Sequence, residues 1–223
     1  MKYLIIGGSK GIGKAIINQL DENDAIINFS RTEYEGNKNV THFSLDVLKD
    51  ELPELEGIQA IVYCPGSINL KPINSLKEVD FRNDFEINVM GAVKVIKAYH
   101  RELKRNRGSI VLFSTVASKV GMPFHASVAA AKSAVEGLSK SLAAELAPKV
   151  RVNCIAPTVT NTDLASHLLR NEKSQQSTAE RHPLNRYLEA EEVASMAVYL
   201  TRKESKGITG QIIGIDGGIG SLK

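Results

Sequence analysis

The chain begins with MKYLIIGGSKGIGKAIINQL (residues 1–20), an apolar run that breaks into a glycine-rich turn and resumes with helical spacing. This order predicts a strand, a turn and a helix. Glycine suits such a turn because it permits a sharp reversal and brings backbone N–H groups close to a bound phosphate. Ile12, Ile16 and Leu20 recur at every fourth position, so one helix face should lie on a sheet. The N-terminus of this helix, with free N–H groups and a positive dipole end, is suited to a pyrophosphate.

Length and composition are those of one globular domain, which we predict to extend over residues 1–223. Apolar residues make up 43% of the chain and charged residues 24%, a balance typical of soluble globular proteins. The net charge of +3 is too small to indicate a nucleic-acid partner, and the basic segment 97–107 is predicted to be the solvated end of a helix. No apolar run approaches membrane-spanning length, and the run before Gly7 is too short for a signal segment.

The two cysteines, Cys64 and Cys154, both lie within apolar runs and form no spacing motif. Paired or clustered cysteines would indicate a disulfide framework or a metal site. Their absence predicts a reduced, cytoplasmic protein without a bound metal.

The remainder of the chain alternates between predicted strands and predicted helices. The strands are expected at residues 25–29, 42–47, 58–64, 109–114, 150–156 and 211–215. The helices are expected at residues 80–103, 126–146 and 189–202, with one or two further helical turns within residues 50–55. The polar segment 161–188 is predicted to be a mobile flap of loop and short helix. This alternation predicts an α/β fold with a doubly wound, parallel sheet of about seven strands.

The end of the second predicted strand carries Arg31 rather than an acidic residue. In a dinucleotide-binding fold, an acidic side chain there holds the ribose hydroxyls, whereas an arginine accommodates a 2′-phosphate. Lys10, inside the glycine turn, adds a second cation nearby. The pair favours NADP as the cofactor, although both side chains are also compatible with plain surface charges.

Several of these motifs together resemble the short-chain dehydrogenase/reductase family over essentially the whole chain. The family's T-G-x-x-x-G-x-G turn aligns with residues 6–13 and retains Gly7, Gly11 and Gly13, and residues 207–218 resemble the family's closing segment. The resemblance implies a Rossmann-type fold, a nicotinamide cofactor, a small-molecule substrate and assembly into a homodimer or homotetramer. It implies neither a nucleic-acid nor a membrane partner.

The resemblance also implies a set of cofactor-binding residues. Asp46 and Val47 align with the positions beside the adenine, although Asp46 is equally suited to capping the end of a strand. Gly66 is the one residue of the family's Asn-Asn-Ala-Gly motif that is retained, and Thr162 aligns with the threonine on the nicotinamide side. The implied cofactor-binding set is Gly7, Ser9, Lys10, Gly11, Ile12, Gly13, Arg31, Asp46, Val47, Gly66, Lys132, Pro157 and Thr162.

The catalytic positions of the family are only partly retained. In the family, a serine steadies the substrate oxygen, a tyrosine exchanges the substrate proton, and a lysine lowers the pKa of that tyrosine. Lys132 aligns with the lysine, Thr115 with the serine and Val128 with the tyrosine. Asn88 aligns with a helix asparagine that supports the family's proton relay, but a buried amide is also suited to a structural role. Valine has no exchangeable proton, and loss of a general acid typically lowers rates about 10²- to 10⁴-fold.

His125 is the nearest titratable substitute, because it lies one helical turn before Val128. Its alternative role is that of a helix-start residue hydrogen-bonded to backbone. The other histidines, His42, His100, His167 and His182, are expected at the surface or in the flap.

Three functions are compatible with this pattern. The first is an NADP-dependent oxidoreductase acting on a small carbonyl, enone or alcohol, with Lys132, Thr115 and Asn88 in the site and the proton supplied by His125, water or the substrate. Reduction of an activated double bond suits this site best, since it needs less help from a strong acid. The second is a catalytically inactive sensor or partner protein that binds NADP(H). The third is a scaffold subunit with a vestigial cofactor site.

Overall fold

The computed structural model of the chain describes residues 1–222 and contains a central sheet of seven parallel strands. The sheet strands are β1 (Lys2–Ile6), β2 (Ala25–Ser30), β3 (Val40–Ser44), β4 (Ala60–Tyr63), β5 (Ser109–Phe113), β6 (Arg151–Pro157) and β9 (Ile212–Ile215). Their order is β3-β2-β1-β4-β5-β6-β9, and every pair of neighbours is parallel. The order reverses next to β1, which is where a doubly wound sheet opens a crevice for ligands.

Helices cover both faces of this sheet. They are α1 (Gly11–Gln19), α2 (Glu78–Phe85), α3 (Gly91–Asn106), α4 (Ala126–Leu146), α5 (Glu172–Ala179) and α6 (Ala190–Thr201). One apolar cluster joins the sheet to α3 and α4, and a second joins it to α1 and α6. The predicted single-domain, doubly wound α/β architecture is therefore confirmed.

The side chains of β1 show how one strand supports both layers. Leu4 and Ile6 pack into the cluster with α3 and α4, while Tyr3 and Ile5 pack into the cluster with α1 and α6. All four are at most 1% exposed. An apolar run without alternation is what a parallel strand buried on both faces requires.

The prediction of helical turns within residues 50–55 was wrong. The chain there has no regular secondary structure and follows a turn in which the N–H groups of Lys49 and Asp50 donate to the carbonyl of Asp46. Pro53 lies inside the segment and has no N–H to continue a helix. Leu52 and Leu55 nevertheless pack against the core, which accounts for the apolar periodicity.

The helix predicted at residues 80–103 is interrupted, which corrects the expectation of one continuous α-helix. A π-helical segment (Glu86–Met90) separates α2 from α3, and the N–H of Gly91 donates to the carbonyl of Glu86. The hydroxyl of Tyr63, at the end of β4, donates to the carbonyl of Ile87 at 2.7 Å. This contact satisfies a carbonyl that the wider helical turn leaves free, and such π segments are frequent at functional sites.

The segment 161–188 contains more regular structure than a loop. It includes a 3₁₀ helix (Asp163–Leu168), helix α5, and a two-stranded ladder between β7 (Thr160–Asn161) and β8 (Leu188–Glu189). Its mobility stays a prediction. Within residues 1–222, none of the helices combines the length and apolarity needed to cross a bilayer.

Candidate active site

The glycine turn between β1 and α1 is fixed by close backbone contacts. Gly7 and Gly11 have positive φ values of 77° and 50°, a region that side chains disfavour. The N–H of Gly7 donates to the carbonyl of Phe29 at 2.8 Å. A Cβ on Gly13 would overlap the carbonyl oxygen of Gly7 and lie 2.9 Å from its carbonyl carbon. The turn therefore requires glycine at these positions for steric reasons.

A polar network ties this turn to the end of β2. The side-chain oxygen of Asn28 accepts from the N–H of Gly8 at 2.8 Å, and its amide nitrogen donates to Ser30 at 3.1 Å. The hydroxyl of Ser9 contacts Ser30 and the carbonyl of Thr32, the latter at 2.6 Å. Ser9, which was assigned to the cofactor by resemblance, is thus buried within the support of the turn.

A first cavity, the cofactor cleft, runs from the glycine turn across the ends of β2 and β4. Its lining includes these assigned cofactor residues: Gly7, Ser9, Lys10, Arg31, Asp46, Val47 and Gly66. Lys10 and Arg31 are both exposed, and the amine of Lys10 lies 3.9 Å from the carboxylate of Asp163. The carboxylate of Asp46 accepts from the N–H of Leu48 at 3.0 Å, so Asp46 caps the following turn while it lines the cleft.

A second cavity, the substrate cavity, adjoins the first and shares Cys64 and Gly66 with it. It contains these assigned site residues: Ile12, Gly66, Thr115, His125, Lys132, Pro157 and Thr162. Val128 also lines it, and its volume is about 170 Å³. The sequence predictions are therefore brought together at one edge of the sheet, except for Gly11, Gly13 and Asn88, which do not line either cavity.

Lys132 projects from α4 into the protein interior. It is 8% exposed, and its amine donates to the carbonyl of Phe113 at 2.9 Å. Burial lowers the pKa of Lys132 to about 8, and the thiols of Cys154 and Cys64 and the carboxylate of Asp84 partly oppose this shift. A lysine with a pKa close to neutrality in a cavity is a typical functional-site group.

Thr115 and His125 retain polar atoms for the substrate cavity. The oxygen of Thr115 accepts from the N–H of Ala117 at 3.3 Å, which leaves its own proton free to donate. His125 precedes α4, and its Nδ1 contacts the carbonyl of Pro123 at 2.7 Å. Because a carbonyl only accepts, Nδ1 carries the proton and Nε2 is left for another partner.

Val128 lies one turn before Lys132 on α4 and is 5% exposed. Its side chain lines the substrate cavity but has no polar atom. Tyr63, the tyrosine at the end of β4, donates its hydroxyl to the π segment instead, and burial raises its pKa. Tyr63 therefore supports the helix rather than the substrate.

Asn88 lies in the π segment and is 2% exposed. Its amide nitrogen donates to the hydroxyl of Ser67 at 3.0 Å and to the carbonyl of Asp84 at 2.7 Å. Ser67 and Asp84 were missed by the sequence analysis. Asp84 occupies a buried position of α2, and a charged residue at an apolar position of the helical pattern was the signal that pointed to it.

His182 is a further buried group, and of its two expected places, the surface or the flap, it occupies the second. It is 3% exposed, its Nδ1 contacts the carbonyl of Thr178 at 2.8 Å, and its Nε2 contacts the hydroxyl of Thr158 at 2.7 Å. Thr158 follows Pro157 and lines the substrate cavity. The burial arises because the chain after α5 folds back so that the ring packs against Gly217.

The arrangement defines a class of protein. A strand, a glycine turn without room for side chains, and the N-terminus of α1 form a cradle that suits a pyrophosphate. The cradle opens into a cleft with two exposed cations and continues into a cavity with a buried lysine. This is a Rossmann-type dinucleotide-binding domain with an adjoining substrate cavity.

Comparison with known proteins identifies the family. A family profile described as enoyl-(acyl carrier protein) reductase matches residues 44–220. A 3-oxoacyl-[acyl-carrier-protein] reductase of Thermotoga maritima is 32% identical over 240 residues, covering 97% of this chain and 96% of the relative. The chain therefore belongs to the short-chain dehydrogenase/reductase family, and its curated relatives are oxidoreductases.

Solved structures agree with this assignment. A short-chain dehydrogenase family protein from Francisella tularensis superposes with a TM-score of 0.90 at 26% identity, covering 98% of both chains. A 2-deoxy-D-gluconate 3-dehydrogenase-like protein from Agrobacterium tumefaciens, determined with bound NADP, has a TM-score of 0.89 at 26% identity, with 98% and 95% coverage.

Proposed function

We propose that this protein is an NADP-dependent oxidoreductase that reduces a small carbonyl or enone, or oxidises the corresponding alcohol, with an altered acid–base group. One observation supports this proposal above the others. A cleft with cations for a phosphate adjoins a cavity that retains the family's lysine, Lys132, and a hydroxyl, Thr115.

The preference for NADP rests on the charges beside the end of β2. Arg31 and Lys10 line the same cleft and are exposed to a ligand bound there. Both carry donors suited to a 2′-phosphate, and Arg31 occupies the position at which an acid would select the 2′-hydroxyl of NAD. The relative from Agrobacterium tumefaciens with bound NADP supports the same choice.

The size of the substrate cavity favours a small reacting group. Its volume of about 170 Å³ is similar to that of an engineered cavity that holds benzene. The family profile is named for enoyl reduction and the Thermotoga maritima relative for 3-oxoacyl reduction. Both reactions add a hydride to an electrophilic carbon of a conjugated or carbonyl system, which is the substrate class that we propose.

The residues of the chain would divide the work as follows. The glycine turn would hold the pyrophosphate, Lys132 would hold the nicotinamide ribose, and Thr115 would donate a hydrogen bond to the substrate oxygen. NADPH would supply the hydride. Val128, in the wall of the same cavity, would exclude water from the reacting carbon but contribute no proton.

A titration of the protein with NADPH and with NADH, followed by a hydride-transfer screen over ketones, aldehydes and enones, tests this proposal. We expect tighter binding of NADPH and oxidation of bound NADPH by at least one substrate class. Binding without turnover over the whole panel would favour the alternative, an inactive NADP(H)-binding sensor, for which the apolar Val128 is the motivating observation. Absence of binding would contradict both.

We further propose that the protein assembles with copies of itself, as a dimer or tetramer, in the cytoplasm. Val79, Phe85 and Met90 lie along α2 and the π segment and are 51%, 42% and 42% exposed. Burying such side chains between two copies is favourable. The free thiols of Cys64 and Cys154 suit a reducing compartment. Sedimentation equilibrium should give a mass of two or four chains, and a monomer would contradict this assembly.

A further inference from the structure

A buried carboxylate, that of Asp84, lies next to the substrate cavity without a charged partner. It is 2% exposed and forms no ion pair with any residue among 1–222. One oxygen accepts from the hydroxyl of Ser67 at 2.6 Å, and the other has no partner. Burial of an ionised carboxylate is costly unless it is paired, so this group calls for an explanation beyond packing.

Ser67 connects this carboxylate to the cavity. It lines the substrate cavity together with Thr115, Val128 and Lys132. Its oxygen also accepts from the amide of Asn88 at 3.0 Å, so the hydroxyl is held in one orientation by two partners. Ser67 is therefore a residue of the cavity wall whose hydroxyl donates to a buried carboxylate.

The remaining members of the cluster lie against Gly66. A Cβ on Gly66 would lie 3.2 Å from both the oxygen of Asn88 and the amine of Lys132. The Asn88 oxygen is buried without a partner. The carboxylate of Asp84 acts electrostatically on Lys132, so the acid and the amine belong to one charge system. Two unpartnered buried oxygens beside this cavity are uncommon, so each calls for an explanation.

We propose that Ser67, backed by the buried carboxyl of Asp84, delivers the proton to the substrate oxygen in place of the group that Val128 lacks. This inference rests on the proposed function. In alcohol oxidation, hydride leaves the carbinol carbon, the substrate O–H proton passes to the Ser67 oxygen, and the Ser67 O–H proton passes to the Asp84 carboxylate to which it already donates. Reduction follows the same path in reverse. Solvent first protonates the Asp84 carboxylate, that proton moves to the Ser67 oxygen, and the Ser67 O–H proton forms the new substrate O–H bond as hydride adds and the π electrons move to the substrate oxygen.

Three other groups compete for this role. His125 lines the cavity, but its Nδ1 contacts only the carbonyl of Pro123. Thr158 donates its hydroxyl to His182, whose other nitrogen is bonded to the carbonyl of Thr178. Ser114 lines the cavity and donates to Glu136, but that carboxylate is only half-buried and also accepts from Ser118. Ser67 differs from all three because its hydroxyl donates to a fully buried carboxylate that has no other side-chain partner.

The test compares Ser67→Ala, Ser67→Thr and Asp84→Asn with the wild type. Ser133→Ala, an exposed serine next to Lys132 on α4, is the matched control. We expect Ser67→Ala and Asp84→Asn to lower kcat about 10²- to 10⁴-fold with little change in the dissociation constant of NADPH. Ser67→Thr should recover most of kcat because it restores the hydroxyl. The solvent deuterium isotope effect on kcat should rise in Asp84→Asn, which a structural defect alone would not produce.

An NMR measurement that needs no catalytic turnover tests the hydrogen bond between Ser67 and Asp84 directly. In the full-length protein labelled with ¹³C at aspartate carboxyls, the resonance lost in Asp84→Asn is that of Asp84. We expect this resonance to shift in Ser67→Ala and to return towards its wild-type position in Ser67→Thr. A resonance that is unchanged in Ser67→Ala would contradict the pair.

The outcomes separate the two proposals. Wild-type kcat in Ser67→Ala overturns the proton delivery while the proposed function stands. Loss of kcat in His125→Ala or His182→Gln, with Ser67→Ala fully active, assigns the proton to one of those histidines and also overturns it. A wild type that binds NADPH and turns over nothing in the panel overturns the proposed function and, with it, this role of Ser67.

Discussion

The glycine turn and helix α4 both contribute to the site, but they constrain their residues in different ways. At the turn, backbone approaches backbone so closely that a Cβ on Gly13 would overlap the carbonyl of Gly7. On α4, Val128 occupies a regular helical position in a cavity wall, where the backbone accepts many side chains. The fold therefore dictates the residues of the glycine turn and leaves the residue at position 128 of the cavity wall free to vary. Cofactor binding is consequently easier to infer from this chain than its chemistry.

The largest effect on stability and NADPH binding is expected from Gly13→Ala, because Gly13 lies in the sterically constrained glycine turn. The added methyl must displace the backbone of the turn, at a cost of about 1–3 kcal/mol or more in unfolding free energy. A fluorescence titration should detect no binding of NADPH to this variant.

The matched control for that variant is Gly137→Ala. A Cβ on Gly137 meets nothing within 4 Å, and the residue lies inside α4. Alanine is the better helix former, so this variant should gain about 0.5–1 kcal/mol in a denaturant titration. Equal NADPH binding by the two variants would show that the turn is not the cofactor cradle.

Lys132→Met tests helix α4, where the backbone does not dictate which side chain lines the cavity. Methionine has a similar length but no charge, so kcat should fall about 10²- to 10⁴-fold while the glycine turn stays intact. The exposed Lys140 of the same helix offers the control variant Lys140→Met. Steady-state kinetics at saturating NADPH measure the difference, and undiminished kcat in Lys132→Met would remove the lysine from the mechanism.

Lys132→Met should lower kcat but raise the free energy of unfolding. Burial lowers the pKa of folded Lys132 to about 8, whereas the unfolded value is about 10.4. The unfolded state binds more protons between these values, so the contribution of Lys132 to stability rises with pH from about 8 to about 10.4. Below pH 8, burial of the charged amine lowers the free energy of unfolding by about 3 kcal/mol.

Denaturant unfolding of the cofactor-free protein at a series of pH values checks this expectation. Lys132→Met should be more stable than the wild type at pH 7, and the difference should shrink as the pH approaches 10. A difference that stays constant over that interval would contradict the lowered pKa. Greater stability with lower activity would also identify Lys132 as a residue kept for function.

The smallest effect is expected at the exposed end of the cofactor cleft. Arg31→Ala removes a charged donor that solvent already screens, so binding of NADPH should weaken about tenfold and binding of NADH should stay unchanged. Lys14→Ala, on α1 and outside that cleft, is the control. An equal loss for both cofactors would mean that Arg31 does not contact the 2′-phosphate.

The same contrast explains how much of the molecule could be predicted from the sequence. The strands and the glycine turn follow from apolar periodicity and glycine spacing, which backbone geometry imposes, whereas Lys132 was assigned through the resemblance to the family. The contact between Ser67 and Asp84 joins residues 17 positions apart on a loop and a helix, and no periodicity reports such a pair. The burial of His182 likewise depends on how the chain after α5 folds back, a tertiary effect without a local pattern.

The π segment was missed for a related reason. The hydroxyl of Tyr63, at the end of β4, donates to a carbonyl of this segment, and the sequence contains no local sign of that contact. The apolar spacing of residues 80–103 therefore still resembles that of one helix. Pro53 was a local signal that the sequence did contain, since proline has no N–H to donate, and giving it more weight would have excluded the helical turns within residues 50–55.

The π segment also makes the position of Asn88 sensitive to chain length. In an α-helix each residue advances the direction of the side chain by about 100°. Deleting one residue within Glu86–Met90 would convert the wider π turn into an α-helical turn, remove the carbonyl that accepts from Tyr63, and turn the side chain of Asn88 by about 100° relative to α2. The buried amide, and the serine and aspartate bonded to it, would then separate without any core residue being replaced. Insertion and deletion, rather than substitution alone, are therefore routes by which this fold can gain or lose a proton pathway.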